Sequence, residues 1–304
     1  MSIFAIILTI FGLCLFEAVS SIDNAIINAS VLTKIGKAAR RWFLGWGILF
    51  AVFAVRGLLP WLIVWGTTPQ LGFWGAFTAT LSGNEHALAA IEKSSPVLLI
   101  GGGVFLVFLF FYWLFLEEKN FALRLEKFFY ANGFWFYAVV SILLSIIVWF
   151  ALLKAPLMGF GAVVGSSAFF ITHGFKNSAE QKEKELLSSS ASDISKLLYL
   201  EVIDTTFSID GVLGAFAFTL SLPLILIGNG LGALVVRQLT VSSIERIKKY
   251  VYLKNGAMYS VLFLGVFMIL KSFGFCIPEW VSPVVTLSVV GIFFMKSVRK
   301  IRRG

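Results

Sequence analysis

The sequence predicts an all-α, polytopic membrane protein with about nine transmembrane helices and an inverted internal repeat. Composition is the first observation behind this prediction: 59% of the 304 residues are hydrophobic and only 13% are charged, whereas a soluble domain carries about 25% charged residues. The second is a series of apolar runs, each near the roughly 20 residues that a membrane-spanning helix needs. The third is an acidic motif that occurs twice at a constant offset.

The apolar runs define the predicted spans in chain order. They cover residues 3–31, 43–65, 97–116, 134–153, 156–174, 197–221, 223–243, 256–275 and 280–297. Residues 66–95 contain only a short apolar core before a polar stretch at 83–86, so we expect a re-entrant or interfacial segment there rather than a tenth span. Residues 176–195 are rich in Lys, Glu and Ser and predict a short cytoplasmic helix or a flexible tether.

A run of three glycines lies inside the third apolar run. Gly101, Gly102 and Gly103 are not followed by Lys-Ser and do not follow a strand, so they do not predict a phosphate-binding loop. Because small residues let helix backbones approach closely in a membrane, the run predicts a helix-packing surface.

Lysine and arginine residues collect in the connections after the odd-numbered runs, for example at residues 34–41, 119–127 and 299–303. Positive residues concentrate on the cytoplasmic side of membrane proteins, so this pattern predicts an N-terminus outside and a C-terminus in the cytoplasm. Because these positive residues are explained by their position beside a lipid bilayer, the net charge of +9 does not indicate a nucleic-acid partner. The first run holds Glu17 and has no preceding Lys or Arg, so we expect it to stay in the mature chain.

The acidic motif occurs in the first and the sixth runs. Residues 17–23 read Glu-Ala-Val-Ser-Ser-Ile-Asp, and residues 204–210 read Asp-Thr-Thr-Phe-Ser-Ile-Asp. An offset of 187 residues relates the first acid, the Ser-Ile pair and the last aspartate of the two copies. The run that follows each copy contains an arginine, Arg56 or Arg237. This correspondence predicts an internal repeat.

The predicted orientation gives the two copies opposite directions, as in many secondary transporters. We therefore predict a single transmembrane domain over residues 1–304. Its inverted halves are residues 1–153 and 197–304, joined by a linking helix and cytoplasmic loop at 154–196. Asp23 falls off the helical face of Glu17, which predicts a bent or unwound turn near Asp23. Gly211 and Gly214 favour the same break after Asp210.

Carboxylates in these runs lie where lipid or packed helix is expected, and each costs about 2.5–3.5 kcal/mol at the membrane centre. Arg56 and Arg237 cannot neutralise five acids, which are Glu17, Asp23, Glu201, Asp204 and Asp210. This excess of negative charge favours a multivalent cation or protons where the two motif copies meet. Carboxylate, amide and hydroxyl oxygens suit Mn²⁺, Mg²⁺ or Ca²⁺ rather than Zn²⁺ or Cu²⁺. The predicted metal ligands are Glu17, Asp23, Asn24, Glu201, Asp204 and Asp210, the charge-balancing residues are Arg56 and Arg237, and the secondary ligands are Ser21, Ser208 and Asn28.

These segments resemble a known group of membrane proteins. Residues 16–25, 55–56, 199–216, 232–240 and 252–257 are similar to the bacterial TerC and Alx group of integral membrane proteins, within the superfamily that includes the LysE exporters. The resemblance is closest to a branch catalogued mainly as a domain of unknown function. It implies export of manganese or a related divalent ion across the cytoplasmic (inner) membrane, with the intramembrane acids as metal ligands.

We therefore expect a divalent-cation transporter, with Mn²⁺ as its substrate, that works by alternating access and couples metal entry to proton movement. Two alternatives stay open: a non-transporting membrane partner or scaffold protein whose acids form structural ion pairs, and a transporter of another small solute. No soluble catalytic domain is evident, so neither an enzyme nor a tightly bound cofactor is expected. The sequence leaves the oligomeric state and the role of His173 open.

Overall fold

The structure is a computed structural model that describes residues 2–22, 25–26, 29, 32, 35–47, 56–76, 85–119, 121–188, 192–242 and 249–302. Over these ranges the chain forms helices and contains no β-strand. The predicted all-α fold class is therefore confirmed for the described part of the chain.

Long helices dominate the architecture. The α-helices are α1 (Ile3–Ser20), α2 (Lys37–Trp42), α3 (Arg56–Thr67), α4 (Glu85–Phe115), α5 (Arg124–Ala131), α6 (Phe136–Lys154), α7 (Pro156–Ser188), α8 (Asp193–Ala215), α9 (Leu222–Ser242), α10 (Leu253–Ser272) and α11 (Val281–Ile301). A π-helix follows α2 at Phe43–Gly47, and single 3₁₀ turns lie at Pro69–Leu71 and Gly133–Trp135.

Six helices within the described ranges are long and apolar enough to cross a membrane. They are Ile3–Ser20, Ala89–Phe115, Gly133–Lys154, Pro156–Lys176, Leu253–Ser272 and Val281–Ile301. These segments coincide with six of the nine predicted spans and indicate a membrane-embedded protein. The predicted run 43–65 lies partly outside the described residues. Most of the predicted runs 197–221 and 223–243 is helical, in α8 and α9. However, α9 offers a shorter apolar stretch, Leu222–Gln238, and α8 includes five Asp, Glu or Lys residues.

Two helices are longer than the hydropathy pattern predicts. Helix α4 begins at Glu85 rather than near residue 97, and Pro96 lies inside it. Helix α7 continues beyond its apolar part to Ser188, so much of the predicted linker 176–195 is a continuation of the helix. Lys, Glu, Gln and Leu are good helix formers, which explains why the helix does not stop where the apolar run stops.

Helix α4 lies at the centre of one packing unit, between α7 and α10. An ideal Cβ placed on Gly161 of α7 would be 2.8 Å from the Val97 carbonyl oxygen, and one on Gly165 would overlap the backbone of Gly101. Gly103 meets α10 in the same way, since its Cβ would be 2.8 Å from the Gly265 carbonyl oxygen. The prediction that the three glycines form a helix-packing surface is confirmed.

Helix α1 lies at the centre of a second packing unit with α8, α9 and α11. Gly228 of α9 packs on Leu13, and Gly232 packs on Glu17, so α9 runs parallel to α1. Gly211 of α8 packs on Glu17, and Gly214 packs on Phe16, so α8 runs antiparallel to α1.

The connection after α4 is fixed by polar contacts. Lys119 Nζ donates to the carbonyl oxygens of Trp113 (2.5 Å), Leu114 (3.0 Å) and Glu117 (3.1 Å). These carbonyls belong to the last turn of α4 and the residues after it, where a cation is favourable. Burial lowers the pKa of the Lys119 ammonium from its usual value.

Candidate functional site

Glu17 of the first motif lies in the core of the bundle. It is 1% exposed, in the last turn of α1. Its carboxylate Oε1 accepts a hydrogen bond from the Ser21 hydroxyl at 2.9 Å, and the Ser20 hydroxyl donates to the Glu17 carbonyl oxygen at 3.3 Å. Ser21, a predicted secondary ligand, is therefore in direct contact with the first predicted ligand.

Two glycines from the second half of the chain hold the Glu17 side chain. An ideal Cβ on Gly211 of α8 would be 2.5 Å from Glu17 Oε2. An ideal Cβ on Gly232 of α9 would be 2.5 Å from Glu17 Cβ and 2.9 Å from the Cys14 carbonyl oxygen. The carboxylate of the first motif thus lies directly against the second motif, at the residue after Asp210.

We expect Gly211→Ala to damage this arrangement. The new methyl group would lie 2.5 Å from Glu17 Oε2, so this carboxylate would have to shift, although its side chain is buried and its Cβ and Cγ already contact Gly232. Overpacking of this kind costs about 1–3 kcal/mol, more than the 0.5–1 kcal/mol that alanine contributes to a helix. Thermal unfolding in detergent measures the effect.

Gly291→Ala is the matched control for this prediction. Gly291 lies inside helix α11 and has no atom within 4 Å of an ideal Cβ. The control should be neutral or slightly stabilising. Equal melting temperatures for the Gly211→Ala variant and the wild type would contradict the close contact between Glu17 and α8.

Asp210 of the second motif forms a buried ion pair. Its Oδ2 is 2.5 Å from Lys176 Nζ of α7, and the two side chains are 15% and 9% exposed. The other carboxylate oxygen, Oδ1, is buried without a hydrogen-bond partner among the described residues. One oxygen of Asp210 therefore meets a cation, and the other keeps its capacity to bind one.

Lys176 is not among the predicted site residues, because its position after the fifth apolar run predicts a cytoplasmic connection. The signal that could have identified it is its spacing within α7. Phe169, Thr172 and Lys176 are all buried and are three and four residues apart, so they lie on one face of the helix. A lysine that continues a buried face needs a partner, and Asp210 is that partner.

The other predicted residues fall into three groups. Ser208 of α8 is buried, at 2% exposed, and Arg237 of α9 is half-buried. Glu201, Asp204 and Arg56 lie in helices α8 and α3, but their side chains lie outside the described part of the chain. Asp23, Asn24 and Asn28 lie outside the described residues altogether. Ser208 is three residues before Gly211, so it lies on the side of α8 that contacts Glu17.

Helix α8 is continuous at the second motif. It runs through Asp210, Gly211 and Gly214 to Ala215, so the break predicted after Asp210 is wrong. The reason lies in the packing, since both glycines make room for side chains of α1 instead of releasing the backbone. The break predicted near Asp23 lies outside the described residues.

Within the described side chains, no three or more of His, Cys, Asp and Glu gather as a metal-binding group. Glu17 and Asp210 are the predicted acids whose side chains the structure describes. Glu17 contacts Gly211 of α8, and Asp210, the residue before Gly211, pairs with Lys176 of α7.

The sequence comparison gives a family but not an activity. Residues 22–304 match the family described as "Protein of unknown function (DUF475)". The chain belongs to the DUF475 family. The match includes the second motif and begins just after Glu17 and Ser21. No curated protein and no solved structure is significantly similar to the chain.

A second buried acid of this DUF475 protein has a structural role. Glu126 of α5 is 0% exposed, and its Oε2 accepts hydrogen bonds from the Leu123 N–H at 2.7 Å and from the Asn255 amide at 2.8 Å. It therefore caps α5 and ties this helix to the start of α10. His173 stacks on Phe169, with 5.1 Å between ring centroids, in an aromatic layer that also includes Tyr112.

Asn229 is a further buried polar residue of the DUF475 chain that the sequence analysis did not single out. It lies in α9, is 0% exposed, and neither its Oδ1 nor its Nδ2 has a hydrogen-bond partner in the described part of the chain. The signal in the sequence is an amide within the apolar and small residues Ile227 to Ala233. Such a group is costly to bury without a partner, so it indicates a polar neighbour beyond those that the described residues supply.

Proposed function

We propose that this DUF475 protein is a divalent-cation transporter of the bacterial cytoplasmic membrane, with Mn²⁺ as its expected substrate. The observation that carries the proposal is the contact between Glu17 of α1 and the Asp210-Gly211 segment of α8 inside an apolar helical bundle. A carboxylate in such a place is costly unless a cation or proton compensates it. The resemblance of the two motifs to the TerC and Alx group supports manganese as that cation.

The charge around the described acids favours a cation over an anion. Glu17 and Asp210 contribute two carboxylates, and Lys176 forms an ion pair with Asp210. In our proposal Asp23, Glu201 and Asp204 add further oxygen ligands, with Asn24 beside them. Hard oxygen ligands of this kind bind Mn²⁺, Mg²⁺ and Ca²⁺.

The proposed architecture has nine spans in two inverted halves, residues 1–153 and 197–304, with the N-terminus outside and the C-terminus in the cytoplasm. The antiparallel packing of α1 on α8 supports it, because inverted copies of one motif must run in opposite directions. The parallel packing of α1 on α9 agrees with the proposed alternation of nine spans.

In the proposed mechanism, alternating access moves the two halves around the site. Glu17 and Asp210 bind the ion from opposite helices, and Ser21 orients Glu17 through its hydrogen bond. Lys176 and the predicted charge-balancing residues Arg56 and Arg237 compensate the acids when no ion is bound. Metal entry is coupled to proton movement, because carboxylates that release a cation in a membrane are stabilised by protons.

Transport assays on purified protein in liposomes test the proposal. Wild-type protein should move Mn²⁺ across the bilayer, and Glu17→Gln, Asp23→Asn and Asp210→Asn should each lower the rate at least about tenfold, since each removes a charged ligand. Glu118→Gln is the matched control, because it makes the same kind of change at an exposed position. Normal Mn²⁺ transport by all three site variants would contradict the proposal, as would a wild-type protein without transport.

The Lys176–Asp210 pair favours a second candidate function, in which the acids serve packing alone and the protein is a non-transporting membrane partner or scaffold. This candidate predicts that the charge-neutral double variant Lys176→Met with Asp210→Asn behaves as wild type in cells under manganese load. The transport proposal predicts that the same double variant folds but does not confer manganese resistance.

A further inference from the structure

The amide of Asn229 is the most isolated buried polar group near the candidate site. Its residue is 0% exposed, and both amide atoms lack a hydrogen-bond partner within the described ranges. The large majority of buried polar side-chain atoms in native proteins have a hydrogen-bond partner, so each exception needs an explanation. An apolar residue of similar size would fill the same space without this cost. Asn229 is therefore best explained by a ligand that its amide binds.

The position of Asn229 in α9 places it close to Glu17. Gly228, the residue before it, packs on Leu13, and Gly232, one turn after it, packs on Glu17. Asn229 thus lies within about 4.5 Å, along the helix axis, of the level at which α9 contacts Glu17. Gly232 also brings α9 close to the backbone of α1, at the Cys14 carbonyl oxygen.

The direction of Asn229 follows from the contacts of its neighbours. Gly228 and Gly232 mark the side of α9 that faces α1, and Leu226 marks the side that faces Gly57 of α3, 3.5 Å from an ideal Cβ there. At 100° per residue, position 229 falls between these two sides. Together with its complete burial, this directs the amide into the interior between α1 and α3. The Glu17 carboxylate borders this interior on the α1 side, where it contacts Gly211 of α8.

We propose that Asn229 is an additional ligand of the transported cation, binding it through the amide oxygen on the same side of the bundle as Glu17. This inference rests on the proposed transport function. An amide oxygen is a hard, neutral ligand of the type that Mn²⁺, Mg²⁺ and Ca²⁺ accept beside carboxylates. Asn229 adds an oxygen without adding another negative charge, and it extends the site by one helical turn from Glu17 toward the start of α9.

The test compares Mn²⁺ binding and thermal stability in purified variants. Asn229→Leu keeps the approximate size of the side chain and removes the polar atoms. We expect its melting temperature without metal to equal or exceed that of the wild type, and its Kd for Mn²⁺ to rise about tenfold. Asn229→Asp keeps the oxygen and adds charge, so its Kd for Mn²⁺ should fall below that of the wild type.

Thr286→Val is the matched control. Thr286 is also 0% exposed, and its hydroxyl has no hydrogen-bond partner among the described residues, but it lies in α11, which packs mainly on α10 and α1 and holds none of the candidate ligands. Its replacement should raise the melting temperature without changing the Kd for Mn²⁺. A higher melting temperature with unchanged Kd in Asn229→Leu would overturn the inference and would indicate an amide that binds water alone.

The outcomes separate this inference from the function on which it rests. Wild-type protein that binds no Mn²⁺ would contradict the proposed function. Wild-type protein that binds Mn²⁺, with Asn229 variants of equal affinity, would overturn the role of Asn229 alone. Should Asn229→Leu fail to fold, Asn229→Asp decides: tighter binding supports the inference, and unchanged or weaker binding overturns it.

Discussion

Replacement of Lys176 by methionine is expected to lower the free energy of unfolding by about 3–5 kcal/mol, which is the typical effect of removing one partner from a buried ion pair. The Asp210 carboxylate would stay in the interior of the bundle without the Lys176 ammonium that its Oδ2 contacts in the wild type. Methionine retains most of the length and apolar surface of lysine, so lost packing contributes little to the expected effect. Denaturation in mixed detergent micelles, followed by circular dichroism, measures the change.

A second substitution in the same chain separates charge from packing. The double variant Lys176→Met with Asp210→Asn should recover most of the lost stability, because no uncompensated charge remains. Lys127→Met, at an exposed position of α5, should be within about 0.5 kcal/mol of the wild type. A double variant as unstable as Lys176→Met would indicate that the pair contributes through shape and not through charge.

Replacement of Gly165 by alanine is expected to destabilise the protein by about 3 kcal/mol, at the upper end of the range for overpacked sites. The added methyl group would overlap the carbonyl oxygen and the Cα of Gly101 in α4. Backbone atoms cannot change rotamer, so α7 would have to move away from α4 along a contact that Gly161 also forms.

Gly174→Ala is a control in the same helix. An ideal Cβ on Gly174 meets no atom within 4 Å, so alanine should be neutral or stabilise α7 by up to about 1 kcal/mol. The melting temperatures of the two variants give the comparison, and protease resistance measures whether the rest of the helical bundle stays folded. Similar melting temperatures for the two variants would show that α4 and α7 are not in backbone contact.

The fold was predictable from the sequence where one physical signal decides the outcome. Apolar runs of membrane-spanning length correctly identified the helices that begin near Ile3, Phe136, Pro156, Leu253 and Val281. Helix ends were not predictable in the same way. Hydropathy reports burial in lipid, whereas the residues up to Ser188 continue α7 because of their helix propensity.

The candidate site was predictable in part. Glu17 of the first motif contacts Gly211, the residue after the second motif, whereas the repeat itself and the shared ligand set stay predictions. Lys176 and Asn229 were missed for different reasons. Lys176 has the residue type of a cytoplasmic connection, and only its register on a buried helical face distinguishes it. Asn229 belongs to neither motif copy, and its isolation becomes visible only when the surrounding side chains are placed.

The backbone contacts of α4 with α7 and α10 have a consequence for how this protein can change during evolution or in the laboratory. An interface made of larger side chains can absorb a substitution by shrinking one residue as its neighbour grows. Gly101, Gly161 and Gly165 have nothing to shrink, so every substitution adds atoms to a full space. A library that randomises α4 and α7 while preserving hydropathy should therefore return glycine at these positions and accept variety on the lipid-facing side.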